Sequence, residues 1–388
     1  MFYFSERSGE FTETNIFTIL ERKRQERLAK GLPVYNLSVG TPDFPPAPHI
    51  MKAVQEAAAD PEQYKYALSD APAMTEAVAR WYSRRYQVEL SPNEIMSVAG
   101  SQEGIAHFSL AVLNPGDVLL APNPGYPIFE IGPRLMGART ALYDLLPEKD
   151  YLPDLDEIAR TMPPNARAII VSYPANPLGA TAPASFYKRL VEFAREHKLW
   201  VIHDNAYSEI TFGGEVGGSF LSTPGAKEVG VEFNSLSKTY NLTGTRISYL
   251  MGNSQFIRRF CAIRSQFDYG LCRIFQAAAI AALNGPQDAV IEQRAEYERR
   301  RDALCGGFRS IGWDMPDAKG TMFAWGKLPG GRMDDAEFVM ELIERSGVIV
   351  TPGNIFGSRG RGYVRFALTL PVSKIEQAVA AVSRSGLV

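Results

Sequence analysis

The sequence predicts an α/β protein built on a mainly parallel sheet, and three observations lead there. Short apolar runs alternate with helical patterns through the middle of the chain. Several runs are apolar along both faces, as strands covered by helices on each side must be. The 388 residues, 45% of them hydrophobic, are more than one ordinary domain needs, so two domains are expected.

The strand-like runs are EIMSVAG (94–100), DVLLAP (117–122), TALYDLL (140–146), RAIIVSYP (167–174), LWVIHDN (199–205), VEFNSLS (231–237) and ISYLMGN (247–253). Helical stretches separate them, such as 183–197, which puts Phe186, Leu190 and Phe193 on one face. The ends of the chain differ. Residues 14–31 (TNIFTILERKRQERLAKG) have the pattern of an amphipathic helix closed by Gly31 and then Pro33, and the prolines of 35–48 suit a linker. After Asn284-Gly285-Pro286 come a long charged helix, short strands with hairpin signals (320–329, 348–354, 362–369) and a closing helix. The expected division is an N-terminal arm with part of a small domain (1–44), a large domain (45–285) and a small α+β C-terminal domain (286–388).

Composition narrows the function. With 41 Lys+Arg against 43 Asp+Glu, the chain has no field to gather nucleic acid or an anionic membrane, and a small neutral or zwitterionic substrate fits better. The three cysteines, Cys261, Cys272 and Cys305, are too few and too scattered for a disulfide scaffold or a zinc cluster, so no metal site is expected and a reducing, cytoplasmic setting is. The start MFYFSERSGE lacks the basic, then apolar, form of a signal peptide. No stretch approaches the ~18 apolar residues of a membrane span.

Most information lies in 235–253, SLSKTYNLTGTRISYLMGN. A lysine among small hydroxylated residues between two apolar strands is poorly explained as a solvated charge, and burial favours the neutral amine that attacks carbonyls to form a Schiff base. Ser235, Ser237 and Arg246 would supply hydroxyls and a cation for a phosphate. In M-S-V-A-G-S-Q-E-G, Gly100-Ser101-Gln102 sit where a strand turns into a helix, a second anion-binding feature, though a glycine turn with a serine cap is common.

The pattern S-L-S-K-T-Y-N-x-x-G-x-R resembles the cofactor-lysine signature of the class I/II aminotransferases, the fold type I enzymes of pyridoxal 5′-phosphate (PLP), and further motifs follow in that family's order over essentially the whole chain. The resemblance implies a large domain with a mainly parallel seven-stranded sheet between helices, plus a smaller α+β domain, and a ping-pong exchange of an amino group between an amino acid and a 2-oxo acid through a Schiff base on Lys238. It implies that Asp204, in V-I-H-D-N-A-Y, pairs with the pyridine nitrogen; a carboxylate ~4 Å away at an effective dielectric of about 20 is worth on the order of 4 kcal/mol, roughly three pKa units on the ring. Read alone, Asp204 is as well explained as a helix cap. Tyr207 and Asn176 would donate to the cofactor's phenolic oxygen, and Tyr126, in P-N-P-G-Y-P, would stack on the ring. Arg365, in G-Y-V-R-F-A-L-T, would grip the substrate α-carboxylate through two parallel hydrogen bonds, with Gly40, in L-S-V-G-T-P-D-F, lending backbone to the same pocket. A tyrosine from the second subunit of a homodimer would reach the phosphate, with Tyr64 and Tyr66 both candidates.

This last region departs from the family pattern. Asp70 stands at the usual glycine, Met74-Thr75 at the usual Leu-Arg pair, and Thr245 at the usual Trp. Three other readings compete. S-x-x-K at 235–238 also fits penicillin-binding proteins and β-lactamases, but the chain has neither Ser-Asp-Asn nor Lys-Thr-Gly. A PLP-dependent C–S β-lyase of the same fold would use the same residues, yet Tyr173-Pro174-Ala175 precedes Asn176 in place of Asn-Pro-His. A non-catalytic PLP-binding regulator would carry a fused DNA-binding segment, and none is visible. Among the aminotransferases the chain is similar to the LL-diaminopimelate and aspartate types, which makes a dicarboxylic diamino acid one candidate donor beside aspartate, alanine and aromatic amino acids.

Overall fold

The structure is a computed structural model that describes residues 3–5, 16–214 and 217–388. Thr14 and Asn15, where the sequence pattern starts the first helix, lie outside the described residues, as does most of the N-terminal decapeptide. The strands are β1 (Tyr35–Asn36), β2 (Ile95–Val98), β3 (Val118–Asn123), β4 (Arg139–Asp144), β5 (Ala166–Ser172), β6 (Trp200–Asp204), β7 (Gly230–Ser235), β8 (Ser248–Gly252), β9 (Phe323–Lys327), β10 (Val348–Ile349), β11 (Thr351–Pro352) and β12 (Tyr363–Ala367). The chain forms two compact units. One comprises residues up to Gly40 with Arg299–Asp317 and Ala324–Val388, and the other Thr41–Glu298 with Ala318–Phe323. The sequence suggests breaks at 44 and 285; the contact-defined ones fall at 40 and inside the helix Asp288–Ser310.

The larger unit is organised by a seven-stranded sheet of order β2-β8-β7-β6-β5-β3-β4. All seven expected runs are strands of this sheet. β3, β4, β5, β6 and β7 pair in parallel, whereas β8 runs antiparallel to both β7 and β2, so β2 regains the common direction. Every residue of β2, β3, β7 and β8 is buried, because helices cover both faces. The edge strand β4 is more open and exposes Arg139. Val98, Leu119, Ile170, Ile202, Phe233 and Leu250 form the centre of one core layer. The helix Ala184–His197 buries Phe186, Leu190 and Phe193, the face the spacing predicts, together with Tyr187, Val191 and Ala194.

In the smaller unit β1 pairs in parallel with β10, and β11, β12 and β9 form a three-stranded sheet in which Thr351 lies opposite Arg365. Its first described helix, Ile16–Ala29, is less amphipathic than its pattern promises: Leu20 is its one fully buried residue, while Phe17 and Leu28 are exposed. Gly31 follows at a φ of 66°, a conformation that favours glycine and ends the helix. No helix among the described residues is long and apolar enough to cross a membrane.

Candidate active site

Sheet direction gathers the candidate residues of the larger unit. In an open parallel sheet the carboxyl ends of the strands share one edge, where ligands bind. Gly100 and Ser101 follow β2, Tyr126 follows β3, Asn176 follows β5, Asp204 ends β6 and Tyr207 follows it, and Ser235 ends β7 with Lys238 next. Because β8 is reversed, Arg246 and Ser248 come to this edge from the start of that strand, with Ser248 opposite both Ser235 and Val98.

One end of this row is built for an anion. Gly100 has a φ of 86°, and an added Cβ would overlap the Arg246 guanidinium, so both space and backbone require glycine. Arg246, itself in the left-handed region at a φ of 53°, is held by Nη1 to the Thr243 carbonyl at 2.9 Å and Nη2 to the Ala99 carbonyl at 3.4 Å. A chain of hydroxyls runs beside it: Ser101 Oγ donates to Ser248 Oγ at 3.3 Å, and Ser248 Oγ to Ser235 Oγ at 3.1 Å. Ser235 Oγ also accepts the Ser237 N–H at 3.1 Å and so starts the turn of helix Leu236–Thr239 that carries Lys238. Lys238 is half-buried, and its carbonyl accepts Gln293 Nε2 at 2.9 Å. Ser248 is a site residue that sequence reading missed.

The Asp204 carboxyl is buried, and its Oδ1 has no hydrogen-bond partner among the described residues. Burial pushes its pKa up to about 6, against the opposing pull of His203, the Ala206 N–H and the Ser172 hydroxyl. Behind it lies a second feature absent from the sequence reading, a buried polar network centred on Glu232. That carboxylate accepts from Tyr82 Oη at 2.6 Å, the Phe220 N–H at 2.8 Å, Ser219 Oγ at 2.9 Å and Asn205 Nδ2 at 3.1 Å, and pairs with His203 Nδ1 at 2.8 Å. The neighbours of Asp204 on either side are thereby anchored. Tyr207 is buried, edge-on to Phe323 at 5.8 Å, and Asn176 is buried. Tyr126 is half-buried and donates to Gln102 Oε1 at 2.7 Å.

Tyr64 and Tyr66 take no part in this row. Both are exposed, Tyr64 donating to the Ala58 carbonyl at 2.8 Å and Tyr66 lying edge-on to Tyr269 at 5.4 Å. Gly40 and Arg365 belong to the smaller unit. Arg365 is 5% exposed, not on a solvent face; its Nη2 donates to the Ser38 carbonyl at 3.1 Å and its guanidinium stacks 4.8 Å from the centre of the Phe356 ring. Half-buried Gly40 ends the segment that supplies this carbonyl.

The residues fit PLP. A buried carboxylate oxygen lacking a partner suits an N–H of a protonated ring, serine hydroxyls around a fixed guanidinium suit a phosphate, and the Lys238 amine suits an aldehyde. Fold and site together define an enzyme that handles amino groups through a bound aldehyde. The family described as aminotransferase class I and II matches residues 33–382. An LL-diaminopimelate aminotransferase of Moorella thermoacetica is 42% identical over 366 residues, 94% of each chain. Among solved structures, a probable N-succinyldiaminopimelate aminotransferase from Thermus thermophilus is 34% identical with a TM-score of 0.90, covering 96% of this chain and 100% of that one. Substrate-bound BacF from Bacillus subtilis is 32% identical with a TM-score of 0.94, covering 99% and 98%. The chain belongs to the class I and II aminotransferases. It is a PLP-dependent enzyme that moves an amino group from an amino acid to a 2-oxo acid.

Proposed function

We propose that the amino donor is LL-diaminopimelate or a similar dicarboxylic diamino acid. The observation that carries this is the similarity, at 42% identity over 94% of both chains, to a relative named for that substrate. When bound, PLP supplies a sink for the electron pair left as the Cα proton departs. In this reading Lys238 Nζ would hold the cofactor and, once displaced by the incoming amine, would take the proton from the substrate's Cα and carry it to the cofactor's C4′. Asp204 Oδ1 holds the ring nitrogen in its protonated form, Tyr207 and Asn176 donate to the phenolic oxygen, and Tyr126 covers the ring, with Gln102 holding its hydroxyl. Gly100, Ser101, Ser235, Ser237, Ser248 and Arg246 bind the phosphate. Arg365 orients the α-carboxylate, with the Gly40 backbone beside it.

The proposed assembly is a cytoplasmic homodimer in which Tyr64 or Tyr66 completes the partner's phosphate site. Its support is the exposure of both tyrosines together with Leu68, Phe267 and Tyr269, apolar surface that a second copy would cover. The lyase reading is not favoured, since the relatives are aminotransferases.

A panel of amino donors, each paired with several 2-oxo acids, tests the substrate. LL-diaminopimelate should exceed aspartate, alanine and the aromatic amino acids in kcat/KM by at least about tenfold, or ~1.4 kcal/mol of transition-state discrimination. A monocarboxylic donor used equally well would overturn the assignment.

A further inference from the structure

β2 is an edge strand: among the described residues its one neighbour in the sheet is β8. Backbone groups of alternate residues face the same side of a strand, so Ser97 and Ala99 turn theirs away from β8. Such an edge needs cover, which a further strand or a loop usually gives. Here charged side chains close it. Asp70 accepts the Ser97 N–H at 2.7 Å through one carboxylate oxygen and the Ser97 hydroxyl through the other. Arg264 Nη1 donates to the Ser97 carbonyl at 2.8 Å, and Glu103 Oε2 accepts the Ala99 N–H at 3.0 Å. Two of the three side chains are themselves tied: Arg264 Nε lies 3.6 Å from Glu103, Arg264 Nη2 pairs with Asp268 at 2.9 Å, and Glu103 Oε1 meets His107 Nδ1 at 2.8 Å. Arg264 and Ser97 are each 5% exposed, so these charges work at reduced solvation and depend on their partners.

The bonds from Asp70, Arg264 and Glu103 to β2 fall on Ser97 and Ala99, three residues and one residue before Gly100. A displacement of Ala99 would move the carbonyl that receives Arg246 Nη2 and the turn that presents Ser101. We propose that Asp70, Arg264 and Glu103 are positioning residues that hold the Gly100–Ser101 turn in register for the cofactor's phosphate. The proposal rests on the assignment of that turn to the phosphate in the preceding section. Asp70 stands where the family resemblance leads one to expect glycine, which has no side chain to accept from either Ser97 group.

The test is a comparison of two ligands on the full-length protein freed of cofactor: PLP, and pyridoxal, which has the same ring and aldehyde without the phosphate. The variants are D70N, D70G, E103Q and R264K, with R246Q as the control for the phosphate site itself. In D70G and R264K the preference for PLP over pyridoxal should shrink about tenfold, ~1.4 kcal/mol, with pyridoxal affinity changed by less than about twofold; D70N and E103Q, which each keep one acceptor, should lose less. Equal weakening of both ligands would make these side chains merely structural and overturn the proposal. An unchanged preference in these variants alongside a loss in R246Q would overturn it too. A preference unchanged even in R246Q would remove the phosphate assignment, and the brace with it. E103Q keeps the size of a partly exposed side chain, so the comparison survives if R264K does not fold.

Discussion

Asp204→Asn should stabilise the cofactor-free protein at neutral pH even as it disables the enzyme. The Asp204 carboxyl is buried, one oxygen has no partner, and burial lifts its pKa from the usual 3.8 to about 6. A gap of roughly two units at ~1.36 kcal/mol each is a cost of about 3 kcal/mol for carrying the charge in the folded state. The sign follows from proton counting: between pH 3.8 and about 6 the folded protein holds a proton that the unfolded chain has released, so stability falls as pH rises through this window. Asparagine has the shape without the charge. Denaturant titrations of the cofactor-free proteins should therefore give near-equal stabilities at about pH 4 and an advantage for the variant of about 3 kcal/mol at about pH 8. With PLP bound the order should reverse, because the carboxylate has gained a partner that asparagine cannot replace. A stability difference that is flat across this pH range would refute the reasoning.

Other substitutions probe other parts of the site. Arg365→Lys should raise KM for the amino donor at least about tenfold with PLP affinity unchanged, since a charged hydrogen bond is worth ~1.5–3 kcal/mol and lysine has no fork; an unchanged KM would remove the carboxylate clamp. Glu232→Gln should cost roughly 3–5 kcal/mol at neutral pH, because it replaces a fully buried acceptor with a group that brings its own N–H donors. Although burial alone would raise the Glu232 pKa, His203, Tyr82 and Asn205 hold it below the usual 4.5, so the stability it adds is present above that value and is lost as pH falls further. The gap between the two proteins should close in acid, and a gap constant with pH would contradict the pairing. Gly100→Ala should weaken PLP binding, read by absorbance titration, since the new Cβ must push Arg246 aside; wild-type affinity would show that the turn does not contact the phosphate.

The fold was legible because buried strands announce themselves: runs such as RAIIVSYP and DVLLAP are apolar on both faces, which only a covered sheet tolerates. The candidate site was legible as an ordered set of motifs, each weak alone. What stayed hidden depends on strand order, which no local pattern carries. Ser248 is one hydroxyl in an apolar run until the reversal of β8 sets it opposite Ser235. Asp70 reads as a departure from a pattern, and its partner Ser97 becomes visible with the free edge of β2. Glu232 and His203 sit inside mainly apolar strand runs, and their pairing follows from the register of β6 on β7. The unit boundary falls within the helix Asp288–Ser310, beyond the break between two helices that Asn284-Gly285-Pro286 makes.

The most direct test of the central assignment is chemical. The protein should purify yellow with PLP bound, and reduction with borohydride followed by peptide mass analysis should leave the cofactor's mass on the peptide containing Lys238, while Lys238→Ala should bind PLP without fixing it and lose turnover. Label on a different lysine, or a protein that never takes up PLP, would contradict the account.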